Sequence, residues 1–306
     1  MMEKEPRVSL TALISAYGRA YHAMYDSPKI FDDFLARQWF TDEAFSELGA
    51  HLAQSLPHFA PEKVADCQDQ ASALRWVMQS HNAISLSRSK HAEDSLELVV
   101  HQGARQYVIL GAGLDTFAFR RPDMLEQIHV FEVDHPATQA FKRRRLAELD
   151  WEQPPQLHFV PVDFTAEKLA DALCRTAFDP QLRSFFSWLG VTYYLDRETV
   201  FDTLRSFADI AATGSWIVFD YLDLNAFDTK RASVRVKRMQ EAVSRVGEPM
   251  KTGFDPATLA KELAHIGLRL EENLPPTDIE ERYFQGRTDG YRAFEHIHFA
   301  RAVVDC

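Results

Sequence analysis

The sequence predicts an α/β fold: a seven-stranded, mostly parallel sheet with helices on both faces, preceded by a helical cover. Three observations carry this expectation. Seven short apolar or alternating runs lie between residues 106 and 304. Most are separated by stretches of helical periodicity, as parallel sheets require. The first run, "QYVILGAG", breaks into glycines, as a buried strand does when it turns into a ligand loop. Before it, residues 9–102 read as mostly helical.

In the cover, "LTALISAYGRAYHAMY" and "SALRWVMQSHNAISLSRSKHAEDSLELVVHQG" carry apolar residues at helical spacing, and the second stops at Gly103. Pro28, Pro57 and Pro61 mark breaks between helices. Strands are expected at 106–112, 128–134, 157–164, 184–191, 215–222, 268–274 and 295–304. Helices are expected at 136–150, 166–177, 196–212 and 255–266. The last connection reads as short and irregular, so the final strands are expected to be antiparallel. Residues 223–250 form an extra helical insertion after the fifth strand. Ligands sit at such strand ends in open sheets, so the insertion is a candidate lid. The expected organisation is a cover over 1–102 and a core over 103–306, joined as one structural unit.

The totals narrow the function. The 306 residues are 46% hydrophobic and 26% charged, ordinary for a globular protein. A net charge of -11 repels phosphate backbones and anionic lipid, so nucleic acid and membrane are not expected partners. Cys67, Cys174 and Cys306 are far apart and in no metal-ligand spacing, which suits free thiols in a reducing compartment. "MMEKEPRVSL" lacks the pattern of a signal peptide, and no apolar run approaches a membrane span. A cytoplasmic, soluble protein is expected, with its oligomeric state open.

The loop after the first strand points to a cofactor. Gly111, Ala112 and Gly113 let a ligand approach the backbone, but Asp115 follows where a dinucleotide loop continues toward a third glycine. A carboxylate there repels a pyrophosphate. It favours a ligand with no phosphate, a sulfonium, an ammonium and ribose hydroxyls, such as S-adenosylmethionine (SAM). Glu132, about 20 residues on in "VFEVD", is placed to accept from a ribose. At the end of the third strand, "PVDF" offers Asp163 for an adenine amino group and Phe164 for the ring.

"YVILGAGLDTFAFR", "VFEVDHPATQAFKRRRL", "FFSWLGVTYYL", "GEPMKTGFDPATLAKEL" and "ERYFQGRTDGYR" together resemble the leucine carboxyl methyltransferase family. The likeness is to its bacterial branch of SAM-dependent O-methyltransferases, which includes the tetracenomycin type of polyketide carboxyl methyltransferases. The resemblance implies a class I, Rossmann-like methyltransferase core. It implies that Gly111, Ala112 and Gly113 line the methionine part of SAM, that Glu132 binds ribose, and that Asp163 and Phe164 hold adenine. Arg88 matches an arginine that pairs with the SAM carboxylate, and Arg19 matches an Arg-Ala of the bacterial branch. One position departs from the pattern. In W-E-G-V-T-x-Y-L, Leu189 stands where the family has a glutamate that faces SAM and substrate.

A carboxylate acceptor is already ionised at neutral pH, whereas a hydroxyl needs a base. His22, His135, His296 and His298 fall in no recognisable dyad, which favours a carboxylate on a small molecule or peptide. Tyr193 and Tyr194 follow the fourth strand near the expected reaction centre, and Arg282, Tyr283 and Arg287 are further candidates for a clamp. The alternatives are a hydroxyl O-methyltransferase and a SAM-binding protein without activity. A nicotinamide oxidoreductase is disfavoured by Asp115 and by Thr116 in place of the third glycine.

Overall fold

Strand β1 (Gln106–Leu110) is buried along its whole length and lies at the centre of the sheet. The computed structural model describes residues 9–163, 166–245 and 247–305. The other strands are β2 (His129–Asp134), β3 (Leu157–Pro161), β4 (Ser184–Trp188), β5 (Trp216–Leu222), β6 (Leu268–Leu274) and β7 (Ile297–Val304). Their order is β3-β2-β1-β4-β5-β7-β6. β1 pairs in parallel with both β2 and β4, so the strand order reverses there. The carboxyl ends of strands diverge at such a switch point and leave a crevice.

β7 is antiparallel to both β5 and β6. The final strands, β6 and β7, are thus antiparallel to one another, as expected. β6 runs with the others, because the insertion and α11 return the chain across the sheet before β6 begins. β7 then doubles back between β5 and β6.

The cover holds α1 (Leu10–Tyr25), α2 (Asp42–Gln54), α3 (Leu56–Phe59) and α4 (Gln70–His101). Pro57 and Pro61 stand at breaks between helices, as expected, each in the first turn of the next one, Leu56–Phe59 and a 3-10 turn over Pro61–Asp66, where a missing N–H costs nothing. Asp69 and Ser72 cap α4 reciprocally, and this 32-residue helix reaches across the sheet toward the crevice.

The core adds α5 (Phe117–Arg120), α6 (Pro122–Leu125), α7 (Pro136–Glu148), α8 (Leu169–Leu173) and α9 (Arg197–Ile210). After β5 come α10 (Val234–Arg245), α11 (Leu259–Ala264) and α12 (Pro276–Tyr283). The helix expected at 166–177 contracts to α8. α12, in a connection read as irregular, was not expected.

Alternation along the strands divides the core. Val108, Leu110, Phe131, Phe186 and Phe219 pack on the face covered by α8, α9 and α11. Tyr107, Ile109, Val130, Phe185 and Val218 pack with Leu96 and Val99 of α4 on the other. Burial of this kind stabilises by about 25 cal/mol per Å² of apolar surface, and it fixes α4 over the crevice. Among the described residues no helix is long and apolar enough to cross a membrane.

Candidate active site

A cavity of about 250 Å³ opens at the switch point. Its floor is the β1 end and the turn after it, with Asp115 and Asp134. Ser187 and Leu189 to Val191 form one side; Arg88, Ser89, Ala92 and Glu93 of α4 form another. Thr11, Ala12, Ser15 and Arg19 of α1 close it from above.

The turn needs its glycines. Gly111 and Gly113 have φ of 70° and 52°, left-handed values that side chains resist. A Cβ on Gly113 would also stand 3.2 Å from the Cβ of Ala12 in the roof. The N–H groups of Gly111 and Ala112 donate to the Val133 carbonyl at 2.9 and 3.1 Å. The Gly113 N–H donates to Asp134 Oδ2 at 2.5 Å, and the His135 N–H donates to Asp134 Oδ1 at 2.6 Å. Asp134 is thereby fixed at the end of β2, facing the cavity. Asp115 Oδ1 accepts from the Phe117 N–H at 2.7 Å and shapes the entry to α5.

The two acids of "FEVD" are placed differently. Glu132 does not line the cavity; Asp134, two residues on, does. Glu132 is still inside the sheet, opposite Ile109 of β1 and Phe159 of β3. It is fully buried and ion-paired to Lys142 of α7, which is also buried. Burial pushes the Glu132 carboxyl up to about 7, with Lys142 opposing the shift. Lys142 Nζ also donates to the Asp115 carbonyl at 2.6 Å. Glu132 thus anchors the cavity floor from beneath.

Arg88 lines the cavity and donates from Nη1 to the Tyr193 hydroxyl at 3.0 Å. Its same nitrogen lies 3.4 Å from Asp220 Oδ2 of β5. Tyr193 is buried behind Arg88 in the core, and Tyr194 is half-buried; neither lines the cavity. Burial raises the pKa of both hydroxyls, so each stays protonated. Asp163 is outside the lining too, its carbonyl accepting from the N–H groups of Ala166 and Glu167. Phe164 lies outside the described residues. Arg282 pairs with Glu272, Tyr283 meets His91, and Arg287 pairs with Asp289, all away from this cavity.

Charge is unevenly distributed. Glu93 is ion-paired with Arg120, Arg19 with Asp33, and Arg88 with Asp220. Among the described residues, Asp115 and Asp134 have no side-chain ion-pair partner. The glycine turn therefore presents two carboxylates that a cationic ligand would balance. Both the open backbone and the two acids fit the sulfonium, ammonium and ribose of SAM.

The sequence profile of the leucine carboxyl methyltransferase family matches residues 12–208. A relative from Bacillus subtilis, "Putative S-adenosyl-L-methionine-dependent methyltransferase YktD", is 41% identical over 297 residues, 96% of this chain and 97% of its own. The chain belongs to the leucine carboxyl methyltransferase family. It is a SAM-dependent methyltransferase. A Mycobacterium tuberculosis relative, "Putative S-adenosyl-L-methionine-dependent methyltransferase Rv3399", is 31% identical over 77% of this chain and 64% of its own length. Solved structures agree on the fold. A DUF574 family protein from Streptomyces avermitilis superposes with a TM-score of 0.56 at 14% identity, covering 94% of this methyltransferase and 96% of that chain. An O-methyltransferase family protein from Burkholderia thailandensis gives 0.50 at 14% identity over 96% and 83%.

One residue of the cavity and one buried behind its wall escaped the sequence. Asp134 was masked by Glu132 in the same "FEVD". Asp220 carried a visible signal, a lone acid inside the apolar run "WIVFDYL"; buried acids are rare unless paired.

Proposed function

We propose that this methyltransferase transfers the methyl group to a carboxylate of a small-molecule acceptor, forming an ester. The observation that carries the reading is the make-up of the cavity lining: among the described residues it contains no histidine and no lysine, and its two acids without an ion-pair partner, Asp115 and Asp134, belong to the glycine-turn floor that the cofactor takes in this reading. Glu93, the acid on the α4 side, is committed to Arg120. The histidines that were candidates are occupied elsewhere. His22 bonds Asp26 and the Ile30 N–H, His135 caps α7, and His296 bonds Asp223. His298 lies 3.6 Å from that same carboxylate. An acceptor that arrives ionised needs none of them.

Bound at the glycine turn, SAM supplies an electrophilic methyl on its sulfonium. In this reading Asp134 accepts from the ribose hydroxyls, Asp115 balances the cationic end, and Arg88 receives the amino-acid carboxylate. The chain's remaining task is to align the acceptor and exclude water. The insertion over 223–250 serves as the lid in this reading. Glu248 Oε2 accepts from Thr11 Oγ1 of the roof at 3.1 Å, and the Lys251 N–H donates to the Tyr193 carbonyl at 2.7 Å.

The test is chemical. Enzyme, methyl-labelled SAM and a panel of aromatic carboxylic acids and phenols are incubated, and the labelled product is treated with mild base. Release of labelled methanol identifies an ester. A base-stable product from phenols, with none from acids, would overturn the carboxylate reading.

A further inference from the structure

Asp220 is fully buried in β5, between Phe219 and Tyr221. Its Oδ1 accepts from the Gly190 N–H at 2.6 Å, and its Oδ2 faces Arg88 Nη1 at 3.4 Å. Its backbone carbonyl accepts from Thr192 Oγ1 at 2.5 Å. One residue therefore ties the loop after β4 to the arginine of α4. The fit is close. A Cβ on Gly190, whose φ is 74°, would lie 2.5 to 2.7 Å from three atoms of the Arg88 guanidinium. The guanidinium packs directly on that peptide, with Nη1 bound and the rest of the group along the cavity wall.

The register shows why the acid is on β5. Trp188 of β4 stands opposite Phe219 of β5. Continued one step past the end of this ladder, the register brings position 189 beside 220. Leu189 packs with the cluster containing Val218, the residue two before Asp220 on the same face. Leu189 offers Arg88 no counter-charge; Asp220 does.

We propose that Asp220 is a positioning residue that aims Arg88 at the anionic end of the cofactor, supplying from β5 the charge that position 189 lacks. The inference rests on the cofactor reading above. Asp220→Asn keeps an oxygen for the Gly190 N–H. It turns an amide N–H toward Arg88 Nη1, donor against donor, and the guanidinium loses its aim. A carboxylate restored at 189 lies within reach of the same group.

The experiment is calorimetry of SAM and of its decarboxylated analogue on four proteins: wild type, Asp220→Asn, Leu189→Glu, and the double variant. Wild type is expected to prefer SAM at least tenfold. Asp220→Asn should reduce that preference below threefold, and the double variant should recover a preference above fivefold. A merely structural role for Asp220 would weaken both ligands alike. Unchanged preference in Asp220→Asn, or a double variant no better than it, overturns the proposal while leaving SAM binding intact. If wild type binds neither ligand, the cofactor reading falls and this inference with it. Should Asp220→Asn not fold, Leu189→Glu decides: with Asp220 already holding Arg88, preference stays within threefold of wild type, and a larger gain overturns the proposal.

Discussion

Replacing Lys142 by Met should destabilise this methyltransferase in a pH-dependent way. The side chains of Lys142 and Glu132 are each 1% exposed, and Glu132 Oε1 has no hydrogen-bond partner. At their 2.5 Å contact and an effective dielectric of about 20, the pair attracts by roughly 7 kcal/mol, which offsets part of the desolvation of both ions. Methionine fills similar volume but leaves Glu132 alone in an apolar site. The Glu132 pKa, already pushed up to about 7 with the lysine present, then rises further. At pH 7 the folded variant carries a proton that the unfolded chain, with a pKa near 4.3, has lost. The wild type, half-protonated there, already bears most of that cost, so the two proteins diverge above pH 7, by about 1.4 kcal/mol per pH unit. Between about pH 7 and 8.5 the variant should lose up to about 2 kcal/mol more than the wild type. Urea unfolding of wild type, Lys142→Met and Lys142→Met/Glu132→Gln at both pH values measures the difference. The double variant should recover that pH-dependent loss. A single variant whose deficit against wild type is the same at both pH values would refute this expectation.

Two further outcomes follow from the same structure. Gly113→Val forces a β-branched residue into a left-handed backbone and against Ala12; it should cost about 1–2 kcal/mol in stability and lower SAM affinity at least tenfold, and unchanged affinity by calorimetry would contradict the loop assignment. His81, whose ring nitrogens are buried without partners, is pushed down to about 3 by burial, and His91 to about 4. Both stay neutral when folded, while the unfolded chain takes up protons near pH 6.5. Stability should therefore fall as pH drops from about 6.5 toward 4. His81→Leu should flatten that slope by up to about 1.4 kcal/mol per pH unit; chemical unfolding with equal slopes in variant and wild type would count against it.

Much of this architecture was legible because strands buried on both faces write themselves as apolar runs. "QYVIL" and "WIVFDYL" are strands where they were expected, and the glycine turn is held by the backbone angles that glycine alone adopts readily. The direction of β6 and β7 was less legible, since reversal depends on how a crossover packs and not on the composition of the strand. α12 was missed because "PTDIEERY" follows a proline in a short connection. At the site, "FEVD" offered two acids on one strand face. Which of them reaches the cavity depends on where pairing with β1 and β3 stops and on Lys142, ten residues downstream on α7. Nothing local to the motif decides that. Tyr193 was placed near the reaction centre by sequence and is instead behind Arg88, because the 3-10 turn over Thr192–Tyr194 rotates it into the core.

In the proposed reading the switch-point cavity is the cofactor site and Asp134, fixed by the Gly113 and His135 N–H groups, is its ribose acid. Calorimetry of SAM with wild type, Asp134→Ala and Glu132→Gln tests it most directly. Loss of charge-assisted hydrogen bonds worth about 1.5–3 kcal/mol predicts roughly 10- to 150-fold weaker binding for Asp134→Ala. Glu132→Gln should bind within a few fold of wild type. Wild-type affinity in Asp134→Ala, with binding lost in Glu132→Gln, would contradict the account.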